Sequence, residues 1–180
     1  MKPMILTAMA LAFAFTLPAG AQQQKPAPTL RAILLDQLRD THDRSNWFVC
    51  ASVAVANLTP EQANWSDGKG NHSVGQLAYH LVFWNQQSLA KFRGQTPAKF
   101  SGNNDDTFTG FNAKQWNDTV HQLDQVMTDL ENTVTSATDA QLAEWAPTIA
   151  NIATHNAYHI GEIVMVRKEQ GVWDANKGVK

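Results

Sequence analysis

Six histidines stand in this chain of 180 residues, and their placement is its most informative chemistry. His155 and His159 lie four apart in an apolar-periodic run from about Thr148 to Gln170. A helix advances about 100 degrees per residue, so the two rings come one turn apart on one face, where both can reach a common ion. Ile152, Ile163 and Val166 project along the same side, so the pair points inward. His80 shares a stripe with Leu77, Leu81, Trp84 and Ser88 and points inward as well. Burying polar rings costs free energy unless each finds a partner. The three are therefore either hydrogen-bonded core histidines or neutral nitrogen ligands to one divalent metal.

The remaining candidates are weaker. His42 falls on an inward stripe with Leu35, Leu38, Val49 and Val53, and either faces an open coordination position or sits in the core. Glu162, three residues beyond His159, falls angularly between the two histidines of the last helix. It is a candidate ligand, general base or orienting partner, or an ordinary helix carboxylate. His121 lies far from the apolar stripe of its helix and is expected in solvent, and His72 reads as a loop residue. The one cysteine, Cys50, sits among valines and reads as a small buried hydrophobe.

The segments Ser73-Val74-Gly75-Gln76-Leu77-Ala78-Tyr79-His80-Leu81 and His155-Asn156-Ala157-Tyr158-His159-Ile160-Gly161-Glu162-Ile163 resemble the two signature regions of the DinB/YfiT-like family. That resemblance implies a four-helix bundle whose metal is held by one histidine of the second helix and an H-x-x-x-H pair of the fourth, positions filled here by His80, His155 and His159. Some relatives use the metal to activate low-molecular-weight thiols such as bacillithiol or mycothiol, and relatives often pair as homodimers.

Three imidazoles with a fourth position open to water or substrate form the arrangement of a catalytic metal. They suit zinc or nickel better than magnesium or calcium, with iron and manganese also compatible. The expected activity is a metal-dependent hydrolysis or group transfer on a small molecule, and Glu162 and His42 are the candidate catalytic groups. The alternative is a non-catalytic metal-binding or stress protein in which the ion pins the second helix to the fourth. Rival motifs are absent: Asn156 follows His155, so there is no H-E-x-x-H, and E-x-x-H and G-x-S-x-G are missing too.

These residues need elements to hold them. With 43% hydrophobic content the chain can bury one core of ordinary size. Four amphipathic segments without strand alternation predict an all-α, up-and-down four-helix bundle. The first helix is expected from Leu30 to Leu58, closed by the turn at Pro60. The second opens at Ser73, whose pairing with Gln76 writes a capping box, and stops at Gly94. The third runs from Asn112 to Val134 and the fourth from Thr148 to Gln170, meeting Gly171.

Ahead of the bundle, Lys2, the apolar run Met4 to Leu17 and Ala19-Gly20-Ala21 read as a cleavable secretory signal over residues 1–21. A linker follows over 22–29, then the bundle over 30–173 and a tail over 174–180. The expected protein is exported, periplasmic or secreted, without stable membrane insertion, because the apolar run is shorter than a span of about 20 residues. A formal net charge of -2 offers no basic field for nucleic acid.

Overall fold

The structure is a computed structural model that describes residues 27–178. The expected signal at 1–21, most of the 22–29 linker and the last two residues of the tail lie outside the described residues. Within them the chain is all-helical: α1 (Leu30–His42), α2 (Ala51–Val55), α3 (Pro60–Ala63), α4 (Val74–Phe92), α5 (Asp106–Thr109), α6 (Trp116–Ser136) and α7 (Asp139–Gln170), with 3-10 turns at Ala113–Gln115 and Ala175–Lys177.

The four long helices α1, α4, α6 and α7 form the bundle. The closest packing is α4 on α6, α1 on α7, α4 on α7 and α1 on α6. Arg31, at the start of α1, reaches the carbonyls of Val134 and Thr135 at the end of α6. Arg93, just past α4, reaches Thr133, also at the end of α6. The helices therefore run up, down, down, up. Parallel α4 and α6 differ from a plain up-and-down alternation because the segment between them crosses back over the length of the bundle.

The core divides along the axis. One cluster joins Leu77, Leu81, Trp116, Leu123, Met127, Ile160 and Ile163, and the other joins Leu34, Leu38, Leu89, Leu130, Leu142 and Ile149. Leu81, Leu130, Ile149 and Ile163 are fully enclosed. Each such side chain contributes about 1.5–3 kcal/mol by leaving water.

Two helix boundaries correct the expectation. The helix expected over Leu30 to Leu58 ends at His42. The amides of Asp43 and Arg44 both donate to the Arg39 carbonyl, and the Arg44 guanidinium folds back onto Asp36 and Asp40. The polar run Asp43-Arg44-Ser45-Asn46 thus closes the helix with its own side chains. Cys50, fully buried, restarts the chain as N-cap of the short α2.

The last helix, expected from Thr148, begins at Asp139 and carries Pro147 inside it. Thr138 and Gln141 form a capping box nine residues ahead of that proline. Pro147 removes one donor from the ladder, and Ala143, whose carbonyl loses its partner, is exposed to water. Gly171 closes the helix in the left-handed region at φ 77°, where glycine carries no steric penalty.

Candidate metal centre

Helices α4 and α7 run antiparallel and bring His80, His155 and His159 together. His155 Nε2 lies 3.2 Å from His80 Nε2 and 3.1 Å from His159 Nε2. The three ligand atoms all lie within 4.8 Å of one another. A tetrahedral ion with metal–nitrogen bonds near 2.0–2.1 Å separates its nitrogens by about 3.3 Å, so the spacing suits a single small cation.

The rings are oriented from behind. His80 Nδ1 lies 2.6 Å from Thr107 Oγ1, and that hydroxyl donates its own proton to the Asn104 carbonyl. Thr107 can then only accept, so His80 carries its proton on Nδ1 and turns the Nε2 lone pair toward the other two rings. Glu162 Oε2 does the same for His159, accepting from Nδ1 at 2.6 Å. His155 has no such partner on Nδ1 among the described residues. Two nitrogen lone pairs thus converge on the third ring, where at most one proton can lie between them. A cation resolves this arrangement more completely than any choice of tautomers.

The electrostatics favour the neutral ligand state. Burial, followed by the neighbouring His159 and His155, pushes His80 down to about 3. Burial, followed by His159, pushes His155 down to about 4. Burial also lowers His159, partly offset by its bond to Glu162. All three rings are therefore deprotonated at neutral pH, as metal binding requires.

The segment crossing back from α4 to α6 closes one side. Phe108 stacks on His80 at 4.0 Å between centroids and 6° between planes, and His72 stacks on the opposite face of Phe108 at 3.8 Å and 3°. The cap is seated on two glycines, because a Cβ at Gly75 would enter the Phe111 ring and one at Gly110 would enter Tyr79. Beside the histidines, Asn85 on α4 and Asn156 on α7 exchange reciprocal amide bonds of 2.9 and 3.3 Å. Both are 1% exposed, so this polar pair satisfies itself while setting the register of the two helices.

On the open side the histidines border a cleft of about 390 Å³ lined also by Trp84, Asn85, Ser88, Asn104, Thr148, Asn151 and Ile152.

A model of the DinB superfamily matches residues 51–163, a span that includes every residue of this centre. The chain belongs to the DinB superfamily. No curated protein and no solved structure gives a significant match. As a DinB-superfamily domain the chain has the helical bundle that its two histidine segments imply, and a residue group able to hold a metal.

The other expected site residues fall differently. Glu162 stands behind His159, away from the cleft, and is half-buried. His42 is not brought to the DinB centre. It lies between α1 and α6, with Nδ1 2.7 Å from Glu131 and Nε2 3.0 Å from Asp124. Burial works against its charge, but the bonds to Asp124 and Glu131 outweigh that and raise its pKa. The stripe expected to carry it on to Val49 and Val53 is broken by the helix end at His42. His121 is exposed, as expected.

Sequence reasoning placed His72 in a loop and did not find its stacking on Phe108. Thr107 and Phe108 were hidden in a polar segment without periodicity, and Asn85 lay unmarked inside a helix. The sequence signal for the capping segment was its scattered phenylalanines, Phe100, Phe108 and Phe111, in a run otherwise rich in Gly, Asn and Asp; Asn85 gave none.

Proposed function

We propose that His80, His155 and His159 bind one divalent metal ion and that the open side of this centre serves a metal-dependent hydrolysis or group transfer on a small molecule. The observation that carries this reading is the convergence of three neutral Nε2 atoms, two of them fixed in tautomer by Thr107 and Glu162. The donor set favours zinc or nickel over magnesium and calcium, and admits iron or manganese.

When bound, the ion would supply a Lewis acid able to polarise a carbonyl or to lower the pKa of a water, thiol or hydroxyl that reaches it. The chain supplies the rest. Thr107 and Glu162 hold two rings to their task. Phe108 excludes water from the back of His80, and the α4/α7 cleft admits a substrate from one side. Glu162 is a positioning residue in this scheme, because its carboxylate is spent on His159 Nδ1. We assign His42 no part in the reaction, since both of its nitrogens are engaged by carboxylates outside the cleft.

The expected export signal puts this chemistry outside the cytosol, away from the thiols that some relatives use. A homodimer remains a family expectation.

Elemental analysis of the purified wild type beside His155→Ala/His159→Ala tests the claim. The wild type should carry about one metal per chain and the variant almost none; equal content in the two would overturn it. Chelation then separates catalysis from a purely structural ion. The reading expects a chelated protein that stays helical, loses activity against a panel of chromogenic esters and amides, and regains it on adding metal back.

A further inference from the structure

The cleft that opens from the three histidines is free of formal charge. Among the described residues, no aspartate, glutamate, lysine or arginine lines it. It follows the groove between α4 and α7, because Trp84 and Ser88 come one and two turns after His80, while Ile152 and Thr148 come one and two turns before His155 on the antiparallel partner. At 1.5 Å per residue the groove extends about 10–12 Å from the ring nitrogens. Its middle is walled by Trp84 and Ile152.

Its far end is polar but uncommitted. The hydroxyls of Ser88 and Thr148 and the carboxamide of Asn151 make no hydrogen bond to the described residues. Asn104 is engaged on one side only, its Oδ1 accepting from Trp84 Nε1 at 3.3 Å.

We infer that the site takes an elongated small molecule with a metal-binding group at one end, an apolar or flat middle, and an uncharged hydroxyl or amide at the other. The inference rests on the metal reading above. Ser88 is half-buried and Asn104, Thr148 and Asn151 are exposed, so a carboxylate, phosphate or ammonium at the far end would give up part of its water without meeting a counter-charge. A hydroxyl or carboxamide instead exchanges its water bonds for groups that both donate and accept. At the near end the order reverses. Three neutral ligands leave the ion's charge uncompensated, so the substrate's donor atom is the one place where an anion is favoured. The cleft thereby selects for charge at the metal and against it two helical turns away.

A hydroxamate series tests this on the metal-loaded protein by calorimetry. Acetohydroxamate reports the metal end alone. Benzohydroxamate adds the flat middle, and its 4-hydroxymethyl, 4-carboxy and 4-aminomethyl derivatives add a neutral, an anionic and a cationic far end.

The 4-hydroxymethyl compound should bind about tenfold more tightly than benzohydroxamate, and both charged compounds more weakly than benzohydroxamate. Ser88→Ala/Asn151→Ala should erase the gain from the hydroxymethyl group, with acetohydroxamate as the reference for an intact metal end. A charged derivative that binds as well as the neutral one, or a preference that survives the double substitution, overturns the inference. A protein that takes up no metal overturns the metal reading and this inference with it, whereas a metal-loaded protein that binds no acetohydroxamate overturns this inference alone.

Discussion

At the ring nitrogens of His80 and His159 the protein decides which atom faces the cleft before any ion arrives. Thr107 and Glu162 each accept a hydrogen bond from an Nδ1–H, and such orienting partners typically account for 10–100-fold in metal affinity. Glu162→Gln keeps the shape of the side chain but weakens the acceptor. Metal affinity should fall within that range in competition with a chromophoric chelator, without loss of helicity. An unchanged affinity would remove Glu162 from the scheme.

The same rings give the metal-free protein a pH dependence. In the unfolded chain a histidine titrates near 6.5, whereas His80 and His155 are held at about 3 and about 4 by burial and then by the neighbouring His159. Between those values the unfolded chain takes up protons that the folded one refuses. The stability these rings permit is therefore complete above about pH 6.5 and drains away as the pH falls toward 4. His42, with its pKa raised, contributes in the opposite sense. Its contribution is full below pH 6.5 and is lost as the pH rises through its folded value. The urea midpoint of the metal-free wild type should fall more steeply from pH 7 to pH 4.5 than that of His155→Ala/His159→Ala; parallel curves would contradict the assignment.

At the scale of elements, the site depends on how α4 and the segment after it fit together. Gly75 lies on the face of α4 that receives Phe111, and this seating brings Thr107 and Phe108 down over His80. In Gly75→Ala the new methyl meets the aromatic ring, and overpacking of this kind costs about 1–3 kcal/mol. The higher helix propensity of alanine offsets up to about 1 kcal/mol. The thermal midpoint should still drop, and metal affinity with it, because Thr107 shifts from His80. A variant of unchanged stability and affinity would show that the cap is not seated by this contact. The capping box of Ser73 and Gln76 was legible in the sequence because it is local, and it starts α4 where expected. The break after His42 was not legible, because the apolar period runs on past it while Arg44 closes the helix through contacts to Asp36 and Asp40.

Across the whole molecule, α1 lies outside the segment matched by the DinB superfamily and is held on by long-range polar contacts as well as by its leucines. Arg31 ties its start to the end of α6, and His42 ties its end to Glu131 and Asp124. His42→Ala leaves those two carboxylates without their shared partner. It should destabilise the protein by about 1.5–3 kcal/mol, the range for hydrogen bonds to charged groups, and leave the metal content unchanged. Denaturant titration and elemental analysis check the two halves of that statement, and a loss of metal would place His42 back in the centre. Among the described residues no helix is long and apolar enough to cross a membrane.

The order of residues along the chain is enough to make it helical, to set which faces of the second and fourth long helices are apolar, and to put His80, His155 and His159 on those faces. All of this follows from the 3.6-residue period, which is a property of neighbours along the chain. The pairing of α4 with α7 at a register that closes three nitrogens to within 4.8 Å was decided only by the tertiary structure. So was the return of the 93–115 segment that puts Thr107 behind His80 and Phe108 against its face. The removal of His42 to a separate cluster of carboxylates belongs to that level too. These outcomes turn on contacts between residues 27 to 89 positions apart, where periodicity carries no information and only the packing of one helix against another selects the partner.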